Sequence, residues 1–244
     1  TRDPISRRMA RQVVRHADRL LVVSRDLQRI AVERDGARPD RITVIANGCD
    51  SNLFQLRDRR AARIDLGVTP ETRLLLYVGR LVPEKGLREL LAAMSILRGH
   101  GGTIRLAIIG DGPMRAELAQ AIGDTRLDDL QLLGVRDPRA VADWMAAANA
   151  VVLPSYSEGY PNVLVEALAC GRPFVATPVG GVVEIADQTC SILVPPRDPE
   201  ALARGILEAM NRDWDEAAIA RRHSRSWDDV ARETLAVCVA ATGM

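Results

Sequence analysis

The sequence predicts an α/β fold in which helices flank a doubly wound, Rossmann-like parallel sheet. Between residues 73 and 194, short apolar runs alternate with segments of helical periodicity. Three of the runs end at a glycine, which is typical of the turn from a buried parallel strand into a helix. A chain of 244 residues with 47% hydrophobic side chains can also bury the large core that such a sheet needs.

Each strand and helix is predicted from a local pattern of apolar residues. Residues 20–23 indicate a short strand, and Ser24 is a suitable N-cap for a helix that ends near Gly36. We expect this first βα unit to have no sheet of its own, and the polar run at 56–63 to be a solvated helix or a linker. The other predicted strands are residues 42–45, 74–78, 104–109, 130–133, 150–153, 174–177 and 192–194. Helices are predicted at residues 87–97, 114–122, 140–148, 200–210 and 228–241.

Charge and composition exclude several classes of function. The formal net charge of +1 gives no electrostatic basis for binding nucleic acid or an acidic membrane surface. No apolar run is long enough to span a membrane, and the first residues lack a signal-peptide core, so we expect a cytoplasmic protein. Cys49, Cys170, Cys190 and Cys238 have apolar neighbours and no paired spacing, which favours reduced core thiols over a zinc site or disulfides.

The stretch at residues 155–173 carries the strongest functional signal. It follows the apolar run 150–153, and its Pro161 is well suited to the first turn of a helix. The apolar side chains of that helix predict a face on the sheet, which leaves Asn162 and Glu166 on the other face. Because a helix N-terminus at the carboxyl edge of a parallel sheet attracts anions, we expect a phosphate site flanked by Glu158 and Glu166.

A second loop, residues 79–86, lies at the carboxyl end of a predicted strand. The planar guanidinium of Arg80 can donate two parallel hydrogen bonds, and the ammonium group of Lys85 is a compact positive charge. Both groups suit a diphosphate. Lys85 is the only lysine in the chain, which favours a functional role over a surface turn with solvated charges. The turn at residues 110–113 is a weaker candidate. It has neither the GxGxxG nor the P-loop spacing, so a purely structural turn fits it equally well.

Three other patterns are interpreted without a catalytic role. Asp213 and Asp215 lie far in sequence from other ligand candidates, so we expect no metal site there. The histidines, His223 among them, have no acid or nucleophile at a useful spacing, which leaves a catalytic triad unsupported. Glu158 and Glu166 would suit the paired carboxylates of a glycosidase, but the cationic loop and the helix N-terminus fit a phosphorylated substrate better.

In order and spacing, the motifs resemble the C-terminal, nucleotide-sugar-binding half of retaining glycosyltransferases with the two-domain GT-B architecture, specifically glycosyltransferase family 4. The resemblance runs from about Ala17 to Trp227. It is carried by Asn47-Gly48-Cys49-Asp50, Gly79-Arg80, Lys85-Gly86, Gly110-Asp111-Gly112-Pro113, Leu133-Gly134-Val135, Glu158-Gly159-Tyr160-Pro161-Asn162, Glu166-Ala167, Cys170-Gly171, Gly180-Gly181 and Glu184.

The resemblance implies that Arg80, Lys85 and Glu158 are the catalytic residues. Arg80 and Lys85 would clamp the diphosphate of the donor, and Glu158 would contact hydroxyls of the sugar. Neither a metal nor a cofactor is implied, because two cations and a helix dipole can stabilise the departing diphosphate.

The remaining residues are implied to bind the donor substrate. Glu166 would accept hydrogen bonds from the ribose, and backbone groups near Val135 and Arg136 would hold the base. The full implied set is Gly79, Gly110, Val135, Arg136, Glu166 and the helix-opening amides of Asn162, Val163 and Leu164.

The resemblance also implies a longer enzyme, since a front domain with the acceptor site cannot be placed here. We interpret residues 1–38 as the end of that missing domain with a linker, 39–200 as the nucleotide-sugar-binding domain, and 201–244 as C-terminal helices. The implied function is retaining transfer of a sugar from a UDP- or GDP-linked donor to a glycan or lipid-linked acceptor. The isolated chain would then be inactive.

The implied location is the cytoplasm or the cytoplasmic face of a membrane, which the full-length enzyme would contact peripherally through the missing domain. Two alternatives stay open: a non-catalytic nucleotide-binding module, and a sugar-nucleotide epimerase of the same architecture.

Overall fold

The computed structural model describes residues 4–99, 104–125 and 129–242. Its helices are α1 (Pro4–His16), α2 (Arg25–Asp35), α3 (Arg59–Asp65), α4 (Leu87–Gly99), α5 (Arg115–Thr125), α6 (Pro138–Ala147), α7 (Asn162–Ala169), α8 (Val182–Ile185), α9 (Pro199–Asn211), α10 (Glu216–Arg222) and α11 (Trp227–Thr242). Its strands are β1 (Leu20–Val22), β2 (Ile42–Val44), β3 (Arg73–Val78), β4 (Ile104–Ile109), β5 (Leu130–Gly134), β6 (Ala150–Leu153), β7 (Phe174–Ala176) and β8 (Ser191–Leu193). Within the described ranges, no helix combines the length and apolar character that a membrane span requires.

Six of the strands form one parallel sheet in the order β5-β4-β3-β6-β7-β8, which confirms the predicted doubly wound fold. The chain runs outward from β3 to β5, then returns to pair β6 with the other side of β3. The order therefore reverses between β3 and β6. In open α/β sheets, ligands bind beyond the carboxyl ends of the strands at such a reversal.

The first βα unit has a sheet partner, and the expectation that it has none was wrong. Strands β1 and β2 pair in parallel, with Leu20 opposite Ile42. This small sheet joins a strand from residues 1–38 to one from residues 39–200, while the domain boundaries themselves remain predictions. The Glu184 carboxylate accepts hydrogen bonds from the amides of Arg25, at 2.8 Å, and Asp26, at 3.3 Å. Glu184 therefore ties the N-terminus of α2 to the region of the large sheet.

Residues 56–58, 60 and 61 are exposed, as expected for a solvated helix or linker, but Arg63 at the end of this stretch is buried. It lies in α3 and is 5% exposed. Its guanidinium donates to Ala147 O at 2.9 Å, to Asn149 Oδ1 at 2.8 Å and to Pro70 O. A buried arginine is tolerated when fixed acceptors satisfy its donors, so one side of α3 is anchored to the end of α6 while the other side stays solvated.

Three of the four cysteines are buried in the core, as expected. Cys49, Cys170 and Cys190 are buried, and no disulfide forms among the described residues. Cys238 is exposed on α11, so the expectation was wrong for this one. The reason is that its apolar sequence neighbours belong to a helix whose Leu235 and Val239 are themselves exposed.

Candidate functional site

The loops after β3 and β6 meet at the point where the strand order reverses. The amide of Tyr156 donates to Glu84 O at 2.8 Å and so joins the two loops. Gly86 has a φ of 65°, and a Cβ at this position would overlap the carbonyl oxygen of Pro154. Only glycine combines that backbone conformation with so close an approach. The two loops therefore form a single unit at the carboxyl edge of the sheet.

Lys85 and Glu158, each predicted for the site, form an ion pair across these loops. Lys85 Nζ lies 2.5 Å from Glu158 Oε1, and the two side chains are only 17% and 8% exposed. Burial costs both charges their hydration, which their mutual attraction and hydrogen bond offset. Lys85 is consequently held in one orientation at the sheet edge, with its charge already desolvated.

Arg80 is positioned through its backbone by a residue that the sequence analysis missed. The hydroxyl of Tyr77, a fully buried residue of β3, donates to Arg80 O at 2.9 Å. Burial raises the pKa of Tyr77, so the hydroxyl stays protonated and remains a donor. The Arg80 side chain is exposed and makes no ion pair with any residue that the structure describes. The detectable signal was a tyrosine in an otherwise apolar strand, two residues before Gly79.

Gly79 and Gly110 hold neighbouring strand ends together. The amide of Gly79 donates to Ile109 O at 3.0 Å, and that of Gly110 to Gly134 O at 2.9 Å. Gly110 has a φ of 142°, and a Cβ there would overlap Gly79 O. The turn at residues 110–113 therefore has a clear structural role in supporting the loop after β3. A direct contact between Gly79 or Gly110 and substrate stays a prediction.

The N-terminus of α7 supplies two free amides rather than the expected three. Within the described part of the chain, the N–H groups of Asn162 and Val163 have no hydrogen-bond acceptor. The amide of Leu164 donates to Pro161 O at 3.1 Å, so the expectation that it is free was wrong. This hydrogen bond closes a tight turn from Pro161 to Leu164 at the start of the helix. Asn47 Nδ2 donates to Asn162 Oδ1 at 2.6 Å. This hydrogen bond fixes the start of α7 against the loop that follows β2.

Glu166, one turn further along α7, faces a cavity of about 440 Å³. Burial raises the pKa of Glu166 from its usual 4.5 to about 7. Arg136, after β5, lines the same cavity, so the structure brings these two predicted residues together. Val135 is 69% exposed, and its carbonyl accepts a hydrogen bond from Arg136 Nη1 at 3.1 Å. The other residues of the lining are Asp50, Leu53, Phe54, Val78, Pro138, Val141 and Trp227.

The Asp-x-Asp pattern at residues 213–215 has a structural explanation. Asp215 Oδ1 accepts a hydrogen bond from the amide of Ala218 at 2.8 Å and so caps α10. The intervening Trp214 donates its indole N–H to Ala209 O at 2.9 Å. Asp215 and Trp214 therefore each have a structural role.

The arrangement has two chemically distinct parts. Lys85, the exposed Arg80 and the free amides of α7 suit a doubly charged anion such as a diphosphate. The cavity at Glu166 combines apolar walls with the carboxylates of Glu166 and Asp50 and the guanidinium of Arg136, which suits a ring that carries hydroxyl groups. A ligand that joins the two features is a nucleoside diphosphate.

Comparison with known families agrees with this chemistry. Residues 72–212 match the family model described as glycosyl transferases group 1. Residues 1–53 match the one described as glycosyltransferase family 4.

Curated relatives carry glycosyltransferase names. The chain is 35% identical over 240 residues to D-inositol 3-phosphate glycosyltransferase 2 of Catenulispora acidiphila, covering 91% of this chain and 56% of the relative. It is 39% identical over 191 residues to D-inositol 3-phosphate glycosyltransferase of Mycobacterium tuberculosis, covering 75% of this chain and 39% of the relative. The chain thus spans about half the length, or less, of these relatives.

Solved structures show the same fold. Sucrose-phosphate synthase of Thermosynechococcus elongatus superposes with a TM-score of 0.86 at 26% identity, covering 100% of this chain and 63% of that one. Anabaena Alr3699/HepE, in complex with UDP and glucose, superposes with a TM-score of 0.80 at 25% identity, covering 98% of this chain and 67% of that one.

Proposed function

Because the chain belongs to the glycosyl transferases group 1 family, we propose that it binds a nucleotide-sugar donor and forms the donor half of a retaining glycosyltransferase. The observation that carries the proposal is the buried Lys85–Glu158 pair, in which Glu158 lies in the loop that leads into α7, a helix whose Asn162 and Val163 amides have no acceptor among the described residues. A site for an uncharged nucleoside would not need a buried cation in a fixed orientation. A diphosphate leaving group needs one, because negative charge develops on it as the bond to the sugar breaks.

Each residue has one task in the proposed reaction. Lys85 and Arg80 bind the diphosphate, and their charges stabilise it as it departs. The α7 amides add two neutral donors that are fixed before the ligand arrives, so little reorganisation is needed during the reaction. Glu158 keeps Lys85 oriented through one oxygen and offers the other to hydroxyls of the sugar.

We propose UDP as the nucleotide, since the Anabaena relative is named as a complex with UDP and glucose. The cavity at Glu166 takes the nucleoside, with Glu166 accepting from the ribose hydroxyls and Arg136 close to the base. The acceptor is a glycan or a lipid-linked glycan, which the full-length enzyme takes up at the cytoplasmic face of a membrane. D-inositol 3-phosphate, named in the curated relatives, is the first small acceptor to test.

Thermal unfolding with nucleotides tests the donor site. UDP is expected to raise the melting temperature in the presence of EDTA, because binding to the folded state at about 100 times Kd adds about 2.7 kcal/mol of stability. GDP and ADP serve as the comparison. The absence of a shift with all three would contradict the proposal, and a shift that needs a divalent ion would contradict a metal-free diphosphate site. Epimerisation of a UDP-sugar without acceptor would favour the epimerase alternative.

Glu166→Gln is expected to make the stability of the protein less sensitive to pH. Because burial raises the pKa of Glu166 to about 7, the folded state favours the protonated carboxyl. Its contribution to stability is therefore complete below pH 4.5 and is lost as the pH rises through 7. The glutamine variant should match the natural protein at pH 5 and exceed it at pH 8, by on the order of 2 kcal/mol after allowance for partial solvation.

Urea unfolding of both proteins at pH 5 and pH 8 measures this difference. Glu117→Gln is the matched control, because Arg88 lowers the pKa of the exposed Glu117. This control should gain no stability at pH 8. A difference for Glu166→Gln that is independent of pH would contradict the raised pKa.

At pH 8, where Glu166 is ionised, Glu166→Ala is expected to weaken UDP binding by about tenfold, because a hydrogen bond to a charged acceptor is worth about 1.5–3 kcal/mol. The loss should be much smaller for 2′-deoxy-UDP, which cannot make the same contact. Isothermal titration of both ligands gives the two ratios. Equal losses would show that Glu166 does not contact the ribose hydroxyls.

Tyr77→Phe is expected to lower UDP affinity several-fold without affecting uridine. The variant removes the hydroxyl that holds Arg80 O, a hydrogen bond worth about 1 kcal/mol, and leaves the aromatic ring in place. Titration of UDP and uridine measures the effect. A loss that is the same for both ligands would show that Tyr77 supports the fold and not the diphosphate clamp.

A further inference from the structure

Three metal-ligating side chains meet outside the donor site. They are Asp187 and Cys190, between α8 and β8, and His223, which directly follows α10. One carboxylate oxygen, the thiol sulfur and one imidazole nitrogen lie within 4.8 Å of one another. None of the three lines the cavity at Glu166 or belongs to the loops around Lys85.

The carboxylate of Asp187 is already oriented by its neighbours. Thr189 donates to Asp187 Oδ1 from its amide at 2.6 Å and from its hydroxyl at 2.5 Å. Oδ2 lies 3.8 Å from the Arg222 guanidinium, in an exposed and therefore weak ion pair. Hydrogen bonds that fix one oxygen of a ligating carboxylate are a common feature of metal sites.

The other two side chains lack good partners. His223 Nε2 is buried, and the described residues supply no hydrogen-bond partner for it. Cys190 is fully buried, and its thiol contacts the Asp187 carboxylate and the weak acceptors Ile185 O, at 3.9 Å, and Asp187 O, at 3.8 Å. A buried ring nitrogen without a partner is costly, and a metal ion would satisfy it.

We propose that Asp187, Cys190 and His223 bind a Zn²⁺ ion. Oxygen, sulfur and nitrogen are the donor set that zinc takes in tetrahedral sites. Ligands at zinc bond lengths are about 3.5 Å apart, so small side-chain rotations close this cluster. The side chain of Asp187 is 43% exposed, which gives the ion a path of entry and lets water serve as the fourth ligand.

Binding would join two elements that are distant in sequence. The ion forms a bond to the Cys190 sulfur while the thiol proton passes to the buffer, and it displaces Arg222 from Asp187. The loop before the edge strand β8 is thereby linked to the C-terminal end of α10. We infer a structural ion rather than a catalytic one, because the three ligands lie apart from the donor site.

Metal titration of the intact chain after treatment with a chelator tests the site. We expect one equivalent of Zn²⁺ to bind and to raise the melting temperature. Co²⁺ should produce a thiolate-to-metal charge-transfer band, which Cys190→Ser removes. His223→Gln should weaken Zn²⁺ binding by about tenfold or more. The matched controls Cys238→Ser and His16→Gln should bind as the natural chain does.

Several outcomes would overturn the site: no stoichiometric binding, a charge-transfer band that survives in Cys190→Ser, or a band that is lost in Cys238→Ser. If Cys190→Ser does not fold, His223→Gln carries the test, because the histidine is less buried than the cysteine. The UDP-dependent shift of the melting temperature in EDTA is measured separately. It should be unchanged in His223→Gln, so failure of the zinc site and failure of the donor site are distinguishable.

Discussion

Lys85→Ala is expected to reduce UDP affinity by roughly 10- to 150-fold and to leave uridine binding almost unchanged. The variant removes a charge-assisted contact worth about 1.5–3 kcal/mol, and only the diphosphate uses that contact. Arg80→Ala should act in the same direction. Its effect should be smaller, because the Arg80 side chain is exposed whereas Lys85 is only 17% exposed. Titration with UDP, UMP and uridine separates the contribution of the phosphates from that of the nucleoside.

Loss of binding must be separated from loss of stability in this experiment. Lys85→Ala leaves Glu158 buried without its cation, and breaking a buried pair in this way costs about 3–5 kcal/mol. The double variant Lys85→Ala/Glu158→Gln removes the unpaired charge, so it should recover stability while UDP binding stays weak. Arg88→Ala is the matched control, because Arg88 is exposed and pairs with Glu117 at 2.6 Å. Equal weakening of UDP and uridine by Lys85→Ala would rule out the diphosphate clamp.

Local signals were sufficient to predict the large sheet and the backbone of the site. Apolar runs and glycine turns identified every strand of the sheet, and the sole lysine indicated the loop after β3. Pro161 marked the start of α7. These features depend on residues within a few positions of one another, and that is the range over which a sequence pattern carries information.

Side-chain partners that are distant in sequence could not be predicted. Glu184 caps α2 by accepting hydrogen bonds from the amides of Arg25 and Asp26, which precede it in the chain by 159 and 158 positions. Arg63 is part of a charged run that indicates solvent, yet two of its three acceptors lie 84 and 86 positions further along the chain. His223 lay at no useful spacing from an acid, whereas folding places it beside Asp187 and Cys190. Spacing along the chain does not predict contacts that the topology of the sheet creates.

The 244-residue chain is expected to bind UDP and to transfer no sugar by itself. Catalysis requires donor and acceptor to be held in reacting geometry, which can supply about 7–11 kcal/mol of the barrier. The residues described here account for the donor alone, and Arg80, Val135 and Arg136 are exposed, so the ligand remains partly solvated. The chain also covers only 56% of the Catenulispora relative.

The measurement is transfer of labelled glucose from UDP-glucose to D-inositol 3-phosphate or to glycan acceptors, with the full-length Catenulispora enzyme assayed in parallel. UDP binding to the same preparation, measured by calorimetry, shows that the donor site is folded. Intact UDP binding without transfer is the expected result, because we propose that this chain supplies the diphosphate clamp and that a further part of the full-length enzyme positions the acceptor. Sustained transfer by the 244-residue chain alone would mean that its open sheet edge also binds the acceptor. The division of the reaction between two halves of the enzyme would then be wrong.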